Sequence, residues 1–296
     1  MRYARCVVLC TVAIGLVAEP AWAHGLAGKR FFPATLTIED PFVADELSLP
    51  SVFHIKGADG KETTLGAELA KTITPNLGLS VAGSYTFLSP NDPEEGSPSG
   101  FGNPEVSLKY SFFKSDAHEA ILSLSLGWEI GDVGDTAIGA ASFQTLSPAL
   151  LFGKGLGDLP DSLAYLRPLA VTGVFGAEVP LTSQEGNALT YGVAIQYSLP
   201  YLQQFVKDIG IPAAAGRFFP VVELLFHTPI DGETKWKTTG TVNPGLIWAG
   251  KFVEVGVEAV IPINTLTGKS VGVQALLHFF LDDLYPAVFR PIFGAP

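Results

Sequence analysis

The chain has 296 residues, of which 47% are hydrophobic and only 16% charged, with a formal net charge of −11. That length allows one sizeable domain or two small ones, and the lack of clustered Lys and Arg excludes a nucleic-acid-binding role. The apolar, charge-poor composition suits a membrane protein, yet after the first two dozen residues no segment approaches the ~20 apolar residues of a membrane helix.

Residues 1–23 read MRYARCVVLCTVAIGLVAEPAWA. Arg2 and Arg5 precede an apolar run, Cys6 to Ala18, that is short for a bilayer span, and Ala21-Trp22-Ala23 forms a small-residue cleavage site. This is the pattern of a secretory signal peptide cleaved after Ala23. Cys10 lies inside the apolar run instead of at its end, so lipid attachment there is not expected. Cys6 and Cys10 leave with the signal, so the exported chain has no disulfide framework, which fits a Gram-negative cell envelope. Removing Arg2, Arg5 and Glu19 takes the net charge to about −12.

Besides a helix, only a closed β-barrel satisfies every backbone group in lipid. Its sequence signal is about ten alternating residues followed by turn residues, and that signal recurs along the chain. Residues 24–45 have no clean period and are expected to be an N-terminal extension, either periplasmic or tucked into the lumen. Alternating strands are then predicted at 46–57, 61–74, 77–88, 103–114, 121–130, 142–155, 165–181, 188–199, 216–230, 238–249, 252–264 and 269–281. In ILSLSLGWEI (121–130), Leu122, Leu124, Leu126, Trp128 and Ile130 share one face, and Ser123, Ser125, Gly127 and Glu129 the other. Strand eleven sets Val253, Val255, Val257, Ala259, Ile261 and Ile263 against Glu254, Gly256 and Glu258.

The connections form two classes. With the N-terminus in the periplasm, the outer loops are 91–102, 131–141, 183–186, 231–237 and 264–269, polar and glycine-rich. The inner connections are mostly tight turns, as in bacterial outer-membrane barrels. The exceptions are 156–164 and 200–215, the latter expected to hold one short periplasmic helix. The polar faces carry Ser, Gly, Thr, Ala and scattered Glu, and the apolar faces end in aromatics such as Tyr85, Phe87, Trp128, Tyr191, Tyr197 and Phe279. The apolar faces are therefore expected to meet lipid, with the aromatics as interfacial girdles. A soluble exported sandwich or lipocalin-like barrel is the alternative.

The segment GFGNPEVSLKYSFF (100–113) resembles a G-x-G-D/N-P-x-x-x-x-K-Y segment of outer-membrane barrels in the phenol-degradation meta-pathway (MetA-like) transporter family. The stretch NPGLIWAGKFVEVGVEAVIPIN (243–264) is similar to that family's late hairpin. The resemblance covers 62–281. It implies a channel or transporter-like barrel for small aromatic or hydrophobic compounds, and it transfers no binding residues. One departure stands out. Phe279 and Phe280 are followed by LDDLYPAVFRPIFGAP, so either the assembly signal is internal and the tail periplasmic, or Phe289 and Phe293 belong to another element.

The polar faces place Glu68, Glu105, Glu129, Glu178, Glu223, Glu254, Glu258 and Lys109 as lumen candidates. Rings of charge in a pore select ions of the opposite sign, so these glutamates point to a cation-favouring lumen. The alternative is that they hydrogen-bond to neighbours and brace a plugged barrel, since small barrels are often filled. His24 would be the mature N-terminal residue, and its amine and imidazole could chelate copper. No second histidine is placed near it, and His54, His227 and His278 are read on polar faces, too dispersed for a metal site. An outer-membrane lipase or deacylase would need Ser, His and an orienting group. There is no G-x-S-x-G, and Glu223 and His227 lie four apart on one strand, about 13 Å. GKGLG (153–157) lacks phosphate-loop spacing and is expected to be a turn.

The sequence thus predicts an all-β protein, a transmembrane antiparallel β-barrel of about 12 strands. Residues 1–23 would be a signal peptide, 24–45 an extension, 46–281 the barrel and 282–296 a tail. It would sit in outer-membrane lipid, pass a small-molecule solute, and need no cofactor, metal or nucleic acid. The runners-up are a closed structural barrel and a membrane-bound enzyme.

Overall fold

The computed structural model describes residues 25–294 apart from 58, 59, 93, 95 and 213. The expected signal peptide and His24 lie outside the described residues. The chain opens with a small hairpin, β1 (Leu26–Ala27) and β2 (Arg30–Phe31). Three strands follow: β3 (Glu46–Lys56), β4 (Gly60–Thr74) and β5 (Leu77–Pro90). The three-residue β6 (Ser99–Phe101) precedes β7 (Glu105–Ser115), β8 (Ala120–Glu129), β9 (Thr145–Gly155) and β10 (Leu169–Pro180). Then come β11 (Ala188–Tyr197), helical turn α1 (Leu199–Tyr201), β12 (Phe218–Pro229), β13 (Thr239–Ala249), β14 (Val253–Pro262), β15 (Gly272–Phe280) and α2 (Leu281–Leu284).

The twelve long strands, β3–β5 and β7–β15, pair antiparallel with their neighbours in sequence. β15 pairs with β3 and β5 with β7, so the sheet closes on itself with no free edge. The predicted strands match these in number and order, with ends shifted by up to four residues. β6 went unpredicted because three residues show no period; it folds back to pair Phe101 with Tyr85. Register shifts fall at Ser48/Ser51, where Pro50 cannot donate to a ladder, and at Thr72/Thr74, Ser111/Phe113 and Leu276/His278.

Period-2 alternation puts two chemistries on the two sides of the wall. Outside stands an apolar belt that includes Val81, Leu108, Leu124, Leu126, Phe175, Ile195, Leu246, Val255 and Val257, all well exposed. Aromatics flank it. Tyr85 packs on Phe87 and Phe101 at the end bearing the long loops, each at 4.9 Å. At the opposite end Trp248 donates to the Ala214 carbonyl and Tyr197 to the Tyr165 carbonyl. Inside, by contrast, Glu223, Glu254 and Glu258 are buried. A water-soluble barrel would show the reverse, an apolar inside and charged outside. The greasy face of ILSLSLGWEI faces outward, and Ser123, Ser125 and Gly127 face the lumen.

The lumen is filled on one side by the N-terminal segment, residues 25–45. Phe31 and Ile38 pack on inward Ala194, Phe219, Val221, Ile247 and Phe280. Phe31 meets Phe219 and Phe280 edge-on at 5.7 and 6.2 Å. Ala27, Phe32 and Phe42 form a second cluster with Ile121 and Ala170. The apolar interior side chains on β8–β15 therefore exist to hold this segment. At the hairpin tip Gly28 sits at φ +61° and its N–H binds Asp116 Oδ1 at 2.9 Å, so the tip docks on the β7–β8 turn. An added Cβ there would lie 2.1 Å from the Asp116 carbonyl oxygen. In the C-terminal tail, Ile292 and Phe293 N–H groups bond to the Thr72 and Ile73 carbonyls at the end of β4.

Candidate functional site

The site is the lumen with the segment that crosses it. Three groups of contacts hold that segment, and each pairs a residue of 25–45 with a distant part of the wall.

The first is a latch at the mouth bearing the short turns. Arg30 is fully buried. Its Nε donates to Glu119 Oε2 at 3.2 Å, Nη1 to the Pro168 carbonyl at 2.8 Å, and Nη2 to the Arg167 carbonyl. The guanidinium lies over the Tyr201 ring, 3.8 Å from its centroid. Glu119, at φ +46°, also accepts from Gly157 N at 3.1 Å. Burial pushes the Tyr201 hydroxyl up to about 12, with Glu119 adding to the effect. Burial likewise pulls Arg30 down, and Glu119 opposes that pull. The planar, five-donor guanidinium suits a site with three acceptors and one ring in different directions.

The second is a clamp halfway along. Glu223 accepts from the Thr37 N–H at 2.7 Å and the Ile38 N–H at 3.2 Å. Asn243 Nδ2 donates to Thr37 Oγ1 at 2.8 Å, and Gln274 Nε2 bridges Thr37 Oγ1 and Glu258 Oε2. The segment here has no secondary structure, so its backbone donors need side-chain acceptors.

The third runs along β7 and β8. Lys109 Nζ donates to the Asp40 carbonyl at 2.8 Å and pairs with Glu39 at 3.1 Å. Ser123 donates to the Pro41 carbonyl, and Ser125 to Glu39 at 3.3 Å. Where the segment leaves the lumen, Asp45 accepts from Lys71 and from the Thr72 N–H at 2.6 Å.

Between the segment and the wall of β3–β5, β7 and β15 remains a cavity of about 280 Å³. Gly66, Gly78, Ser80 and Ala82 form a low wall on one side, with Val43 of the segment against Gly78.

All eight predicted lumen residues point inward, but they are not one ring. Glu223 and Lys109 bind the segment directly, and Glu258 accepts from Gln274, which also binds Thr37. Glu254 is buried opposite His278 across β14–β15, and neither carboxylate oxygen has a hydrogen-bond partner among the described residues. Glu68 is exposed to the open cavity. Glu105 and Glu129 face each other across β7–β8; Glu105 accepts from Ser107, and Glu129 from Asn103 at 2.7 Å. Glu178 binds His227 at 3.1 Å and Thr190 at 2.8 Å.

Two sequence readings need correction. His54 is not on the polar face. It lies across from Val273 and Thr63, on the outer side shared with Phe87, because the β3 shift at Pro50 changes which residues point in. The carboxylate partner of His227 is Glu178, two strands away, a pairing invisible when only Glu223 on the same strand is considered. The Thr190 hydroxyl is held by Glu178 instead of by the imidazole, so the trio lacks the nucleophile–base contact that covalent catalysis needs. Among the described residues there is no grouping of three or more His, Cys, Asp or Glu suited to a metal.

Sequence reasoning did not find Arg30, Thr37, Glu119, Tyr201, Asn243 or Gln274. The available signal was Arg30 itself, a cation inside the apolar run RFF of an otherwise featureless segment.

No protein-family model and no curated protein matches the chain. Among solved structures, the chain is similar to an outer membrane channel from Pseudomonas putida F1, at 15% identity and a TM-score of 0.52, over 84% of this chain and 99% of that one. It is also similar to the KdgM porin, at 13% identity and a TM-score of 0.48, over 79% and 98%. A third similarity is to outer membrane phospholipase A from Escherichia coli, at 13% identity and a TM-score of 0.40, over 87% and 96%. At these identities the first likeness shows the fold, a barrel of outer-membrane type.

Proposed function

We propose that this protein is an outer-membrane channel that passes small molecules along the cavity beside its N-terminal segment. The observation that carries the reading is the division of the lumen. Polar and apolar contacts fix the segment mainly to β7–β15, while the small inward residues Gly66, Gly78, Ser80 and Ala82 of β4 and β5 leave a cavity of about 280 Å³ beside it. A purely structural barrel would gain by filling that space, because each buried apolar contact stabilises. In this reading residues 1–23 are a cleaved signal, the long loops face outward, and the short-turn end is periplasmic. The resemblance to the meta-pathway transporter family and the apolar side chains of Val43, Phe42 and Leu276 at the cavity support a small hydrophobic or aromatic solute. Glu68, Glu105 and Glu129, which form no ion pair among the described residues, support a cation bias for the passage.

The test is single-channel current in planar bilayers under a salt gradient, with protein whose folding is shown by heat-modifiable gel mobility. Small openings with a cation-biased reversal potential are expected. A folded barrel that passes no current, with the Arg30 latch intact or cut, would overturn the reading.

A further inference from the structure

Basic residues at the long-loop end of the barrel are segregated. The loops at 91–104, 130–144 and 181–187 carry acidic residues and no Lys or Arg. All the lysines at this end, Lys56, Lys61, Lys235, Lys237 and Lys269, lie on the other half, between β12 and β4, and all are exposed.

Two of them share a place on the outer wall, and a third belongs to the adjoining connection. Lys56 and Lys61 are direct cross-strand partners at the last pair of β3–β4. They lie on the outward face, two residues above His54 and Thr63, which share that face and hydrogen-bond at 2.8 Å. Lys269 is exposed in the connection that leads into β15, the strand beside β3. Like charges directly opposite each other repel, and among the described residues none of the three has an ion pair. Glu62 turns into the lumen, where Thr64 donates to it; Asp59 lies outside the described residues. Immediately below stands an apolar wall: Val271 just before β15, Val273 on β15 and Phe87 on β5, 58%, 45% and 44% exposed.

We infer that this patch binds the phosphate groups of an acylated, phosphorylated glycolipid of the outer leaflet. The lysines meet the phosphates, and the acyl chains lie on the valines and Phe87. The inference rests on the outer-membrane orientation proposed above. A dianionic phosphate between Lys56 and Lys61 relieves their repulsion, and the outward direction of both places that phosphate at headgroup height. A free phosphate would use the lysines but have no use for the apolar wall beneath.

The experiment titrates purified, folded full-length protein in zwitterionic detergent with bisphosphorylated lipid A and with its dephosphorylated form, reading the temperature of heat-modified mobility. The parent is expected to shift upward and saturate with the phosphorylated lipid only. About fivefold in affinity per lysine near a charged headgroup gives roughly a hundredfold weakening for the combined K56Q/K61Q/K269Q variant. Lys251→Gln, at a turn of the opposite end, should leave binding unchanged. Without lipid the triple variant should melt no lower than the parent, since a repulsive pair is removed, which separates lost binding from lost folding. Equal shifts for parent and triple variant, or for both lipid forms, would overturn the inference. Full competition by inorganic phosphate would also overturn it, by making this an anion site without lipid. The readout needs no current: a conducting barrel blind to lipid phosphate removes this inference alone, and a lipid-binding barrel that never conducts removes the channel reading alone.

Discussion

Cutting the latch should open the barrel without unfolding it. Arg30→Ala removes three hydrogen bonds and the contact with Tyr201, and it leaves Glu119, only 4% exposed, with the Gly157 N–H and the Tyr201 hydroxyl as donors but no cation. Breaking a buried ion pair by deleting one partner costs about 3–5 kcal/mol. The barrel strands close on one another without using Arg30, so the loss falls on the seating of residues 25–45. At ~1.4 kcal/mol per tenfold, even 3 kcal/mol raises the unseated population by roughly 150-fold. The sole cysteines, Cys6 and Cys10, lie in the first 23 residues, the proposed signal, so a single cysteine at Ala34, which lines the cavity, can report seating by its reaction with a bulky maleimide. Labelling and open-channel time should both rise strongly in Arg30→Ala. Arg30→Lys should fall between, because one ammonium cannot serve three acceptors and a ring. Pairing Arg30→Met with Glu119→Gln should recover part of the seating by removing the stranded charge. Parent-like labelling and current in Arg30→Ala, with folding intact, would refute the latch and the plug argument built on it.

Three further perturbations separate the clamp, the passage and the lipid face. Glu223→Leu strands the Thr37 and Ile38 amides at about 1–3 kcal/mol each, so exchange of those two amides with solvent should accelerate, with Glu223→Gln intermediate. Ala82→Leu projects from the inner face of β5 into the cavity it lines and should lower conductance with little change in melting, whereas Gly192→Leu should unseat the segment, because a Cβ there lies 2.4 Å from the Leu224 carbonyl and 2.5 Å from Ile38 Cδ1; conductance should therefore move in opposite directions. Leu124→Arg, on the outer face in the middle of β8, should cost about 2–4 kcal/mol in bilayer unfolding titrations, and a cost near zero would mean that this face does not meet lipid.

Strand count, order and facing were legible in the sequence because they depend on a local rule. Successive side chains of a strand point to opposite sides, so Leu122, Leu124 and Leu126 declare one face and Ser123, Ser125 and Gly127 the other without reference to any distant residue. The same rule placed all eight charged lumen candidates inside the wall. It failed at His54, where the register shift at Pro50 breaks the count, and it could not see β6, which is shorter than one period. Residues 25–45 carry no period because they are not part of the sheet, so only the tertiary structure decided their place. Arg30 finds its carbonyls at a sequence separation of 137 and 138, and Thr37 meets Gln274 at 237. Pairings of that range are set by closure of the barrel, which brings β15 beside β3 and so encloses the segment. That closure also turned the glutamates from a presumed ring into separate tasks, a clamp at Glu223 and Glu258 and an open wall at Glu68, because what each carboxylate meets across the lumen is fixed by which strands face each other there.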